Sequence, residues 1–262
     1  MLSDGNARLA AARRLTTRKG RLAGARFLAE GAPAVSEALR CPDTVVELFA
    51  TAEALRRHRT LVGTAQSGGI PVGEISAKSA ATLSETMSPQ GLLAVCRAVD
   101  VPLTSVLERR PPLAAALVDA ADPGNAGTIL RTADAAGAGA VVFAGNSVDP
   151  YNGKVVRASA GSLFHVSVVA SHPALDLVAA ARAAGYAVLA TSSSAAVDLD
   201  TLELTEPTMW LFGNEAAGLP PAVIRSVDQS VRVPIYGRAE SLNLAAAAAV
   251  CLYASARAQR AG

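Results

Sequence analysis

The sequence predicts an α/β protein: a C-terminal domain built on a mostly parallel sheet, preceded by a smaller α/β domain. Three observations carry this. Apolar segments of strand length alternate with helical segments through the C-terminal half, the pattern of a parallel sheet covered on both faces. The stretch AVDVPLTSVLERRPP (98–112) reads as an extended linker, because Pro102, Pro111 and Pro112 fix their own φ and restrict their predecessors. The length, 262 residues, exceeds one average domain and falls short of three. The expected domains are 1–107 and 108–262.

In the first domain, GARFLAEGAPAVSEALR (24–40) has helical spacing, with Val35, Ala38 and Leu39 on one face. VVELFAT (45–51) is a short apolar strand, 51–63 a helix, IPVGEIS (70–76) a strand and GLLAVCRAV (91–99) a buried strand.

The second domain alternates more clearly. LAAALVDA (113–120) is an apolar strand. A helix follows over 125–138, where Ile129, Ala133 and Ala136 fall at i, i+4 and i+7. Asp122-Pro123 is a start signal, since Asp caps and Pro is preset for the first turn. AVVFAG (140–145) is a strand, 149–162 a loop and helix, FHVSVV (164–169) a strand, 173–185 a helix and AVLATS (187–192) a strand. TMWLFGNE (208–215) and QSVRVPIY (229–236) are two more strands, and the chain ends on a helix over 241–258.

Composition excludes several classes. Hydrophobic residues make up 51% and charged residues only 18%, which is incompatible with a disordered chain or a charged coiled coil. The three cysteines, Cys41, Cys96 and Cys251, form no CxxC pair, so neither a disulfide framework nor a cysteine zinc site is expected. His58, His165 and His172 share no ligand spacing, and no metal is predicted. No apolar signal core opens the chain, and the most apolar stretch, 244–254, is far short of the roughly 20 residues that span a bilayer. A soluble, cytoplasmic protein is expected.

The net charge of +2 conceals an asymmetry. Residues 1–26 carry seven basic side chains (Arg8, Arg13, Arg14, Arg18, Lys19, Arg21 and Arg26) against the single acid Asp4. Such a segment fits a polyanionic partner or, more simply, a solvated basic helix.

Three loops carry polar residues at the ends of apolar strands. DPGNAGTILRT (122–132) opens a helix, where backbone N–H groups favour anions. Its Gly124 and Gly127 match neither the dinucleotide fingerprint nor a P-loop, and the absence of an acid after AVVFAG further disfavours a Rossmann oxidoreductase. Asn125, Thr128 and Arg131 lie along one edge of the helix, which a plain amphipathic helix would also explain. LFGNEAAGLP (211–220) runs from a strand into Gly213, where a ligand could approach the backbone. VRVPIYGRAESLN (231–243) leads through a polar loop to Ser241, expected to cap the last helix, with Asn243 a turn inside.

Together these segments resemble the SpoU (TrmH-like) family of RNA ribose 2′-O-methyltransferases in the SPOUT superfamily. Asn125, Gly127, Arg131 and Thr132 match its first motif. Gly213, Glu215 and Gly218-Leu219 match the second, and Pro234, Ser241, Leu242 and Asn243 the third. KVVRASAGSLFHV (154–166) is similar to its middle segment. The match covers 113–258, and whole-chain similarity runs towards the rRNA enzymes, including the thiostrepton-resistance type. RFLAEGAPAVSEAL is similar to the L30e-like RNA-binding extension that many members carry.

The resemblance implies a deep trefoil knot at the C-terminus, a homodimer with the active site at the subunit interface, and S-adenosylmethionine as cofactor. It places Thr191, Gly213, Val233, Ile235 and Leu242 around the cofactor. Arg131 matches the catalytic arginine, with Asn125, Glu215, Ser241 and Asn243 fixing it and the ribose. A guanidinium stays protonated at neutral pH, so Arg131 is expected to clamp phosphate and stabilise a developing alkoxide. Arg8, Arg13, Arg14, Arg18, Lys19, Arg21 and Arg157 are the expected RNA contacts. The expected substrate is 23S rRNA; the alternatives are tRNA methylation and a non-catalytic RNA-binding ribosome-assembly factor.

Overall fold

The structure is a computed structural model and describes residues 1–86 and 88–261. Helices α1 (Ala7–Arg14) and α2 (Arg18–Gly24) open the chain, followed by β1 (Arg26–Glu30), α3 (Ala32–Arg40) and β2 (Val45–Thr51). Next come α4 (Ala52–Arg57), α5 (Arg59–Ser67), β3 (Val72–Ile75), α6 (Ala77–Leu83) and β4 (Leu92–Arg97). Then follow α7 (Leu103–Arg109), β5 (Leu113–Val118), α8 (Pro123–Ala136), β6 (Ala140–Ala144), α9 (Gly153–Ala158) and β7 (Ser167–His172). The chain continues through α10 (Ala174–Ala183), β8 (Ala187–Thr191), β9 (Val197–Asp198) and β10 (Thr208–Phe212). It closes with α11 (Pro221–Ser226), β11 (Gln229–Arg232) and α12 (Leu244–Ala261). The chain folds as two compact units: Met1–Val99 with Tyr151–Phe164, and Asp100–Pro150 with His165–Gly262.

The first unit holds a four-stranded sheet in the order β1-β4-β2-β3. The β1/β4 and β4/β2 pairs are antiparallel and β2/β3 is parallel. The helix expected over 24–40 is instead β1 followed by α3. Phe27, Leu28 and Ala29 are all buried in sequence, which suits a strand, and Gly31 at φ +90° breaks the segment in two. The helix expected over 51–63 is interrupted at His58, whose φ and ψ (−114°, 39°) leave the helical region. Residues 151–164 belong to this unit because Phe27 takes both of their aromatic rings. Tyr151 stacks on it at 4.6 Å and Phe164 at 6.0 Å between centroids. The Tyr151 hydroxyl also accepts from Val99 N at 2.8 Å.

The second unit holds seven parallel strands in the order β7-β6-β5-β10-β8-β11-β9. Parallel strands buried on both faces read as unbroken apolar runs, and every residue of β5, β6 and β10 is buried. Trp210 sits fully buried in β10 and donates from Nε1 to Ser255 Oγ of α12 at 2.9 Å. The stretch 98–112 is not an extended linker. It contains α7, whose Leu103 and Val106 enter the core of this unit, so the division falls at Val99/Asp100 and not near 108. Strand β7 begins three residues later than expected, because Ser162–Phe164 form a 3₁₀ turn in the first unit.

The strand order places the site. The chain runs outward from β5 to β6 and β7 on one side, while β10, β8, β11 and β9 lie on the other. In open parallel sheets, ligands bind beyond the carboxyl ends of the strands beside such a reversal. The loops after β5, β8, β10 and β11 all leave from that end.

Candidate active site

The loop after β10 is held in one shape by its own hydrogen bonds. Asn214 and Gly218 exchange both backbone bonds at 2.9 Å, and Asn214 Oδ1 accepts from Ala216 N and Ala217 N at 3.0 Å each. Asn214 Nδ2 donates to the Asp119 carbonyl at 2.9 Å, tying this loop to the end of β5. A Cβ on Gly213 would lie 2.4 Å from Gly218 C and 2.5 Å from Leu219 N. The close backbone approach expected at Gly213 is therefore made by the chain itself.

Glu215 reaches the start of α8. Its carboxylate accepts from Ala121 N, Asp122 N and Asn125 Nδ2, each at 3.1 Å. Asp122 Oδ1 in turn accepts from Asn125 N at 2.7 Å as the expected cap of α8. Partial burial raises the Glu215 carboxyl, but hydrogen bonds from its own backbone, Asn125, Ala121 and Asp122 outweigh it and hold the group below its ordinary value.

Asn243 joins the third segment to the other two. Its Nδ2 donates to Asn125 Oδ1 at 3.0 Å, while its Oδ1 accepts from Ala245 N at 2.9 Å and Ala246 N at 3.3 Å. Asn243 therefore caps α12, the role expected of Ser241. Ser241 is exposed and lines the cleft instead, because α12 begins at Leu244.

That cleft has a volume of about 1090 Å³. Thr191, Gly213, Val233, Ile235 and Leu242, the five expected cofactor residues, all line it, as does Glu215. Thr191 Oγ1 donates to the Leu211 carbonyl at 3.2 Å, holding the ends of β8 and β10 together. Ile235 is 38% exposed and Leu242 39%, so both leave apolar surface outside the core. Apolar side chains beside backbone polar groups fit an adenosine-bearing cofactor.

Arg131 is exposed and does not line the cleft; its side chain makes no hydrogen bond or ion pair with any described residue. It lies six residues, about 1.7 turns, along α8 from Asn125. His165 approaches Asp134 of the same helix at 2.8 Å. Among the described residues, no three His, Cys, Asp or Glu side chains are grouped to hold a metal ion. No described helix is long and apolar enough to cross a membrane.

The basic residues separate into two sets. Arg14, Arg18 and Lys19 are exposed and make no side-chain hydrogen bond or ion pair with any described residue. Others are already engaged. Arg8 pairs with Glu47, and Arg13 donates to Thr82 Oγ1 and the Asp4 carbonyl at 3.0 Å. Arg21, expected to contact RNA, is buried at 6% exposure and donates to the Leu15 carbonyl at 3.0 Å, closing the turn between α1 and α2. Arg157 sits 3.7 Å from the buried Glu30 carboxylate in the first unit.

Asn214 and Asp119 were not among the site residues expected from the sequence. The signal for Asn214 was its place between Gly213 and Glu215, where Asn readily bonds backbone two or three residues on. Asp119 gave none, since its part is played by a carbonyl.

The model of the SpoU rRNA Methylase family matches residues 112–253, and that of the MRM3-like substrate binding domain matches 6–94. A 23S rRNA (guanosine(2553)-2′-O)-methyltransferase of Bacillus subtilis, RlmP, is 36% identical over 242 residues, 92% of each chain. The crystal structure of an AdoMet-bound rRNA methyltransferase from Sinorhizobium meliloti aligns with a TM-score of 0.85 and 32% identity, covering 98% of this chain and 97% of that one. The SpoU methyltransferase AviRb from Streptomyces viridochromogenes, in complex with AdoMet, aligns at 0.84 and 32% identity, covering 98% and 100%. With more than half of its residues matched by the family model and a relative similar along nearly its whole length, this chain belongs to the SpoU rRNA methylase family.

Proposed function

We propose that this protein transfers a methyl group from S-adenosylmethionine to a ribose 2′-hydroxyl of 23S rRNA. One observation carries the reading: the three polar loops converge, with Glu215, Asn125 and Asn243 in one hydrogen-bonded chain beside a cleft lined by all five expected cofactor residues. When bound, S-adenosylmethionine supplies a methyl group on a sulfonium. The chain's own residues hold the cofactor and align the ribose. Thr191, Gly213, Val233, Ile235 and Leu242 form the cofactor walls. Glu215, Asn125, Ser241 and Asn243 fix the loop ends around the ribose. Arg131 clamps the adjacent phosphate and stabilises the negative charge on the ribose 2′-oxygen as its proton passes to water.

The N-terminal unit, with its exposed Arg14, Arg18 and Lys19, grips RNA as an L30e-like module. The enzyme works in the cytoplasm as a homodimer whose second copy completes the site, which would bring a partner's surface to the exposed Arg131. Val250 and Tyr253 of α12, 42% and 52% exposed, offer an apolar face for that contact. The C-terminal segment forms the trefoil knot. Similarity along both units to an enzyme named for 23S rRNA supports that substrate over tRNA.

The test incubates the protein with tritiated S-adenosylmethionine and separated pools of rRNA and tRNA, then maps the product by primer extension at low nucleotide concentration. Label confined to 23S rRNA with one new stop supports the proposal. Label in tRNA alone, or none, contradicts it.

A further inference from the structure

We infer that the mouth of the cleft holds one unpaired RNA nucleotide, its base stacked on the ring of Tyr236 and its phosphate bound by Arg225. This rests on the RNA methylation reading above and names the residues that would present the nucleotide to it. Tyr236 lines the cleft and is 89% exposed. Its ring is tethered at one edge, where the hydroxyl donates to Asp200 Oδ2 at 3.1 Å. The strand end behind it is pinned by the Arg232–Asp198 ion pair. A large aromatic ring held by its edge contributes little to the core, and its faces are left to a planar partner.

Arg225, near the end of α11, lines the same cleft and is exposed. Its side chain makes no hydrogen bond or ion pair with any described residue. An aromatic platform and an uncommitted guanidinium lining one cleft are what single-stranded nucleic acid requires. Every base offers a π-face, and every nucleotide a phosphate. Stacking to a base is worth about 1–3 kcal/mol, and about 1.4 kcal/mol corresponds to tenfold.

The test measures kcat/KM on a 23S rRNA transcript, Kd for that RNA at several salt concentrations, and S-adenosylmethionine affinity by calorimetry, all on the full chain. Tyr236→Ala and Tyr236→Leu should each lower kcat/KM for RNA about tenfold or more, while Tyr236→Phe and Tyr236→Trp restore it. The Leu variant separates stacking from simple apolar contact. Arg225→Ala should reduce the slope of log Kd against log salt by about one. Cofactor affinity should stay at the wild-type value in all of them.

Unchanged kcat/KM in Tyr236→Ala overturns the inference. So does an equal loss of cofactor affinity, which would make Tyr236 a cofactor wall. A shift to monomers in sedimentation would make it a contact between copies and overturn it equally. A wild-type protein that methylates no RNA would instead overturn the underlying reading.

Discussion

Asn243 donates through its side-chain amide to Asn125 at 3.0 Å, although 118 positions separate them in sequence. This bond ties the cap of α12 to the first turn of α8. Asn125 passes the connection to Glu215 at 3.1 Å, so one chain of three side chains spans all three loops. Asn243→Ala removes both the link and the helix cap and should lower stability by about 1 kcal/mol. Asn125→Ala keeps the cap and should cost less. A double-mutant cycle read by urea denaturation should give a coupling of about 0.5–1.5 kcal/mol between them, and additive effects would show that the bond contributes nothing.

Glu215 gives the loop cluster a pH dependence. Its folded-state pKa lies below the ordinary value of 4.5, so its stabilising contribution is complete above that value. As pH falls below 4.5 and through the lowered folded value, the carboxylate protonates and the contribution is lost. Glu215→Gln should therefore be less stable than wild type at neutral pH, and the gap should close in acid. Thermal melts across the acid range check this; a gap independent of pH would place the effect elsewhere.

Gly213 and Gly218 should respond oppositely in severity to alanine. At Gly213 the added methyl meets backbone at 2.4 Å, which should cost at least about 2 kcal/mol and shut the loop out of its native shape. At Gly218, with φ +69° and nothing within 4 Å, only backbone strain remains, about 1 kcal/mol. Denaturation midpoints of the two variants decide the order.

Arg131→Ala should abolish methyl transfer while leaving calorimetric S-adenosylmethionine affinity within about twofold, because its guanidinium lies outside the cleft lining. Arg131→Lys should not restore the rate if a bidentate phosphate clamp is needed. Full activity in the Ala variant would remove Arg131 from the reaction.

Much of the second unit was legible because its strands are buried on both faces. Leu113–Val118 and Ala140–Ala144 are unbroken apolar runs, and Asp122-Pro123 announced α8. The site residues were legible as motifs, yet not their bonding. Ser241 looked like the cap because it precedes an alanine run, but the helix starts at Leu244 and Asn243 does the capping. The failures lie where distant contacts decide. Phe27–Ala29 form a strand because they face a core that local periodicity does not reveal, and α7 forms between prolines because Leu103 and Val106 find one. Arg21 counted as surface charge until a turn closed over it.

Photolabelling with tritiated S-adenosylmethionine, followed by peptide mapping, bears most directly on whether the three loops enclose the methyl donor. Label should fall in peptides spanning residues 191–194, 213–219 and 231–247, and excess unlabelled cofactor should suppress it. Suppressible label confined to any other part of the chain would contradict the assignment.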